Sequence, residues 1–255
     1  LEKLLAILLL ISLRGEAPDY PLKDGKPTGR GIEQYIEERG NSILKEYQQF
    51  VGDTVYNVWI YTASLKEFGD YDSLELGRYF QNEVYINKDG SFEAYELDDL
   101  TPLQKNSIPE CNRFVKSVVI HELTHEYISQ IGTEMRFVDH IGVHRTYQTG
   151  LSIVISHENF GSLFIEEGIC EYMAEKMGEL IPPKKLFIPK TIEEITSKDN
   201  LYLVKYKYSS AYVKPFLDTT GLKEGIKILL HNPPPSYEEI LNPGLFYSRL
   251  LKIDE

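Results

Sequence analysis

Hydrophobic positions along the chain change period from one stretch to the next. Residues 32–50 place Ile32, Tyr35, Ile36, Ile43, Leu44 and Tyr47 at the three-and-four spacing of one helix face. Thr54–Tyr61 is dense in β-branched and aromatic residues and predicts a strand. Asn82–Asn87 and Ser91–Leu97 flank Lys88-Asp89-Gly90, and Asp-Gly is a hairpin signal. The N-terminal lobe, 32–132, is therefore expected to mix helix with antiparallel sheet. Arg113–Gln130 predicts a helix, with Pro109 suited to its first turn and Gly132 to its stop. Its apolar residues surround most of the circumference, which places it at the centre of a domain. A second helix is expected over Ser162–Met177, with Gly178 after it, and a loop-rich connection, 133–161, lies between the two.

The remainder, 162–255, predicts a helical lobe. Thr220 is placed to cap a helix running to Leu230, and Ser236-x-x-Glu239 is a capping-box pattern opening another. Residues 15–31 hold Gly15, Pro18, Pro21, Gly25, Pro27, Gly29 and Gly31 and read as an irregular linker. The expected class is α+β, one domain over 32–255 preceded by a separate front end.

That front end carries an almost unbroken apolar run, residues 4–13. As a helix it spans about 15 Å, half a bilayer core. It has the length of a signal-peptide core. The other readings are a helix buried against the domain, or a plug formed by 1–31. A secreted or membrane-associated location is favoured over a cytoplasmic one.

Composition then narrows the chemistry. The chain has 255 residues, a formal net charge of -12, six His and two Cys. The acidic balance argues against nucleic acid as a partner, since phosphate binding needs clustered Lys and Arg. Two cysteines exclude a disulfide framework and a four-Cys zinc site. Any metal is expected to be held mainly by His and carboxylate.

The central helix contains His121-Glu122-Leu123-Thr124-His125. Residues i and i+4 lie one above the other, so both imidazoles can reach one ion. Glu122 is turned by about 100° and points beside that ion, where a general base for a water is needed. A metzincin would continue with glycine at 128 and histidine at 131; both positions are Ile. A carboxylate on the second helix is the remaining course. In Phe164-Ile165-Glu166-Glu167-Gly168-Ile169-Cys170-Glu171-Tyr172, Glu167 and Glu171 share a face, and Gly168 permits close helix approach. Glu167 is the expected third ligand to one zinc ion, with Glu166 competing. Glu171 is expected to hold the far nitrogen of a ligand His. Cys170 is a further competing donor, rotated about 60° from the Glu167/Glu171 face.

These two segments together resemble the gluzincin zinc peptidases, the clan of thermolysin and the aminopeptidase-N-like enzymes. The resemblance covers about 120–178, and 200–250 more weakly. It implies a zincin-like fold, hydrolysis of a peptide or protein substrate lying along an edge strand, and the residue before Gly168, Glu167, as third ligand. It also implies a tyrosine that stabilises the oxyanion. Tyr208, in Tyr208-Ser209-Ser210-Ala211, is the nearest match, with Tyr202, Tyr206 and Tyr212 close by. Residues 126–166 separate the motifs by more than in aminopeptidase-type members, and Gly90-Ser91-Phe92-Glu93-Ala94 is only a faint echo of their exopeptidase signature. His140, His144 and His157 fall in the connection, and His231 at a helix end. Cys111 and Cys170 either pair or stay as thiols. The competing function is a non-catalytic or latent zinc-stabilised domain that binds a partner in the same cleft.

Overall fold

The helix expected over 32–50 is α1, Gly29–Val51, in a computed structural model that describes residues 22–23, 26–27, 29–64, 76–80, 82–88, 108–134, 157–178 and 186–251. Its buried side chains, Ile32, Tyr35, Ile36, Ile43, Tyr47 and Val51, form one stripe. It ends where Gly52 takes φ 70°, a left-handed turn that costs a residue without Cβ little. The N–H groups of Gly52 and Asp53 both donate to the Gln48 carbonyl there. Ahead of α1, the stretch expected to be irregular contains a small antiparallel ribbon, β1 (Leu22–Lys23) on β2 (Lys26–Pro27). The apolar run 4–13 lies outside the described residues.

Three strands, β3 (Trp59–Ala63), β4 (Gly77–Phe80) and β5 (Glu83–Asn87), form a sheet in the order β3-β5-β4. The expectation of an antiparallel sheet needs correction. β4 and β5 are antiparallel, but β3 and β5 run parallel, with Tyr61 opposite Tyr85. β5 finds its hairpin partner upstream in β4, through a turn in which Asn82 has φ 69°. Ser91–Leu97, expected to be that partner, lies outside the described residues. β3 begins later than Thr54 because side chains, not a neighbouring strand, hold the first part of that run. Gln48 Nε2 donates to the Val55 carbonyl, and Gln130 exchanges two hydrogen bonds with the Tyr56 backbone. Val84 and Ile86 are buried on the helix side of the sheet, whereas Trp59 and Tyr61 on the opposite face are exposed.

Two long helices run through the centre: α2, Ile108–Glu134, and α3, His157–Gly178. They are antiparallel neighbours. Gly178 lies against Ser117, Glu171 against His121 and Glu166 against His125. Gly132 does not stop α2; burial of Ile128 and Ile131 in its last turns offsets the roughly 1 kcal/mol cost of an interior glycine. The sheet and α1 pack on α2, and the C-terminal helices pack on α3.

The C-terminal part comprises α4 (Ile192–Thr196), a π-helix (Leu203–Tyr208), α5 (Ser209–Thr220), α6 (Leu222–His231), α7 (Tyr237–Leu241) and α8 (Pro243–Leu250). The Ser236/Glu239 capping box is present at α7. Thr220 caps nothing: its hydroxyl donates back to the Phe216 carbonyl, and Gly221 occupies the N-cap position of α6. Helix dominates and the sheet is small, an α+β arrangement. Among the described residues, no helix is long and apolar enough to cross a membrane.

Candidate metal centre

α2 is apolar over most of its surface, so polar side chains buried along it require partners. His121 and Glu122 are buried, and His125 nearly so. The i, i+4 spacing brings the two imidazoles together, with Nε2 to Nε2 at 3.2 Å. Glu167 Oε2, from α3, lies 3.2 Å from Nε2 of His121 and 3.6 Å from Nε2 of His125. A tetrahedral zinc with bonds of about 2.0–2.1 Å holds its ligand atoms roughly 3.3–3.4 Å apart. The triangle formed by these three atoms has that size. Glu167 Oε2 is buried and has no hydrogen-bond partner. Such an atom is costly unless a cation faces it. By this test the residues fit a metal ion.

A carboxylate also lies on the far side of each ring. Glu166 Oε1 is hydrogen-bonded to His125 Nδ1 at 2.8 Å, whereas Glu171 Oε1 lies 3.3 Å from His121 Nδ1, within ion-pair reach but without a hydrogen bond. A carboxylate on Nδ1 favours the tautomer with its proton there and leaves Nε2 as the donor. Glu166, the competing residue for the third donor, is therefore turned to the back of the His125 ring. Tyr79 of β4 lies parallel to that ring, with 13° between planes and 6.2 Å between centroids.

Glu122 packs against β4. A Cβ on Gly77 would come within 2.8 Å of Glu122 Oε1, so only glycine lets the strand run this close. Cys170, a free buried thiol, offers another donor: with His121 and His125 it makes a set of atoms within 4.8 Å of one another. Burial pushes its thiol up to about 12, so a metal bound there would have to displace a firmly held proton.

The third wall is the π-helix. At Gly168, a Cβ would lie 2.7 Å from the Ser209 carbonyl oxygen, so α3 and the start of α5 meet backbone to backbone. The π-turn just before this contact, where the Ser209 N–H reaches back to the Val204 carbonyl, aims two lysines at α3. Lys205 Nζ is 2.8 Å from Glu167 Oε1, and Lys207 Nζ is 3.0 Å from Glu171 Oε2. Lys205 also donates to the Tyr206 hydroxyl at 2.9 Å, and the Tyr206 ring lies 6.1 Å from His121.

The structure places Tyr208, the expected oxyanion tyrosine, in the C-terminal core. Its hydroxyl donates to the Ile240 carbonyl, and its ring packs on Phe164 and Tyr212 in the C-terminal core. Its neighbour Tyr206 lies beside the His121 imidazole, as Tyr79 of β4 lies beside that of His125. Burial and the Glu167 carboxylate hold the Tyr206 hydroxyl protonated, against Lys205.

The electrostatics follow from this inventory. Burial alone would lower His121, but Glu167 and Glu171 outweigh it and raise the imidazole to about 9. Burial likewise opposes ionisation of Glu167, yet Lys205 and both imidazoles hold its carboxyl well below the usual range. Glu167 and Glu171 stay charged and favour protonated imidazoles, so a cation binding at Nε2 would take the place of protons there.

No known protein-family model, curated protein or solved structure matches this chain.

Lys205, Lys207 and Gly77 are the participants that sequence reasoning missed. Lysines two apart do not share an α-helical face, so that spacing hides them; the π-turn that brings both to α3 has no sequence signature. His140, His144 and Glu93 lie outside the described residues, as do the side chains of Cys111 and His157. His231 ends α6, far along the chain from this cluster.

Proposed function

We propose that the chain is a zinc-dependent peptidase of gluzincin type on a zincin-like fold, hydrolysing peptide bonds of a peptide or protein substrate. The observation that carries this is the triangle of His121 Nε2, His125 Nε2 and Glu167 Oε2, with a carboxylate beside each Nδ1. His121, His125 and Glu167 hold the ion. Bound there, zinc supplies an acidified water and polarises the substrate carbonyl. Glu122, adjacent in sequence to one ligand and held against Gly77, takes a proton from the attacking water and returns it to the leaving amine nitrogen. Tyr206 accepts from Lys205, which leaves its own proton to donate to the developing oxyanion. β4 is an edge of the sheet among the described residues, and it passes both Glu122 and His125. An extended peptide adding to that edge would lie beside the base.

The test is metal content together with cleavage of a peptide library. The purified chain should hold one zinc, lose cleavage with a chelator and regain it on zinc addition. Glu122→Gln should keep the metal and lose cleavage by several orders of magnitude. Cleavage at the wild-type rate by that variant would overturn the mechanism.

Cys170 supports a second reading, a closed and non-catalytic metal site. In that case the cobalt-substituted protein would show a strong thiolate charge-transfer band that Cys170→Ser removes. The peptidase reading expects no such band.

A further inference from the structure

The two oxygens of Glu167 are treated differently. Oε2 faces the imidazole pair without a hydrogen bond, while Oε1 is held 2.8 Å from the Lys205 ammonium. Lys205 is itself fixed, with its side chain 19% exposed and a second bond to Tyr206. A carboxylate can bind a metal through one oxygen or both. A catalytic zinc site has three protein donors and keeps its next position for water or substrate. A second Glu167 oxygen would compete for that position.

We propose that Lys205 is a positioning residue that restricts Glu167 to a single donor oxygen and so keeps a coordination position open. This rests on the zinc-peptidase reading. The lysine does not touch substrate; it acts by occupying Oε1. The π-turn matters because it delivers the ammonium to Oε1, while the imidazoles face Oε2. Lys207 makes the same kind of ion pair with Glu171, but Glu171 lies behind His121, so that pair sets a ring and not a donor count.

Cobalt substitution provides the test, since visible absorption of Co2+ is intense with four ligands and several-fold weaker with five. The full-length wild-type chain should give the intense spectrum. Lys205→Met should give the weak one, bind Co2+ at least as tightly, and show about tenfold lower kcat or worse. Lys205→Arg, which keeps a donor for Oε1, should restore the wild-type spectrum; it also serves as the folded comparison if the methionine variant is unstable. An unchanged spectrum in Lys205→Met with weaker metal binding would overturn the inference and leave the lysine a purely structural partner. A wild-type chain that takes up no Co2+ would overturn the zinc reading and this inference together.

Discussion

Gly77 and Glu122 meet so closely that a Cβ on residue 77 would lie 2.7 Å from Glu122 Cγ. The strand backbone thereby sets where the carboxylate of Glu122 can rest. Gly77→Ala should displace that carboxylate while leaving both imidazoles in place. The expected result is kcat lower by about 10–100-fold with unchanged zinc stoichiometry, because displacements near 1 Å have effects of that order. Steady-state kinetics beside metal analysis decides it. Loss of the metal would mean that the glycine supports the helix and not the base.

The two tyrosines of the π-helix should behave oppositely. Tyr206→Phe removes a donor beside the imidazoles and should lower kcat on the order of 100-fold with little change in melting temperature. Tyr208→Phe removes the bond to the Ile240 carbonyl and should cost about 1 kcal/mol of stability with turnover retained. Thermal melts and kinetics on both variants give the comparison. The reverse pattern would return the oxyanion role to Tyr208.

Glu166 and Glu171 each lie beside an Nδ1, but their other contacts differ. Glu166→Gln should weaken zinc binding by about 10–100-fold, read by competition with a chromophoric chelator, and leave the fold intact. Glu171→Gln should do the same and also destabilise the chain by about 3 kcal/mol or more, because it strands the buried Lys207 ammonium. Equal stability of the two variants would show that Lys207 finds another partner.

A pH effect belongs to the C-terminal lobe. Burial tends to raise the Glu239 carboxyl, but Arg249 and the Ser236 cap outweigh it and hold it below its ordinary value of about 4.5. A depressed folded value means the contribution is full above that pH and is lost as pH falls through the lower one. Glu239→Gln should therefore cost about 1–2 kcal/mol at neutral pH and flatten the loss of stability on acidification below about pH 4.5. Denaturant titrations at several pH values measure it.

What the sequence discloses here is what has a period or a short motif. The stripe of α1, the all-round apolar surface of α2, the Ser236/Glu239 box and the His121/His125 pair follow from spacing of about 3.6 residues or from fixed offsets. The partnership of β5 with β4 was hidden because Asp89-Gly90 is a stronger local turn signal than the Asn82 turn that is used. The parallel pairing of β3 with β5 depends on a crossover between distant residues, and no local pattern encodes that. Tyr208 was the match to a tyrosine segment implied by the resemblance, and a segment match does not say which way a ring turns in the π-helix Leu203–Tyr208. That Glu167 faces the two histidines was legible from Glu171 on the same face and Gly168 beside it; the ammonium on its other oxygen was not.

The π-helix has an implication for the chain's tolerance of length change. A π-turn is an α-helix carrying one surplus residue. Deleting a single residue from 203–208 would let this segment close as ordinary α-helix and run smoothly into α5, while Gly168 still grips Ser209. The part of that turn upstream of the deletion would then swing by about 100° about the axis, taking both ammonium groups and the Tyr206 hydroxyl off the face that looks at α3. At this point in the fold a one-residue deletion is a rotation of chemistry and leaves the scaffold standing.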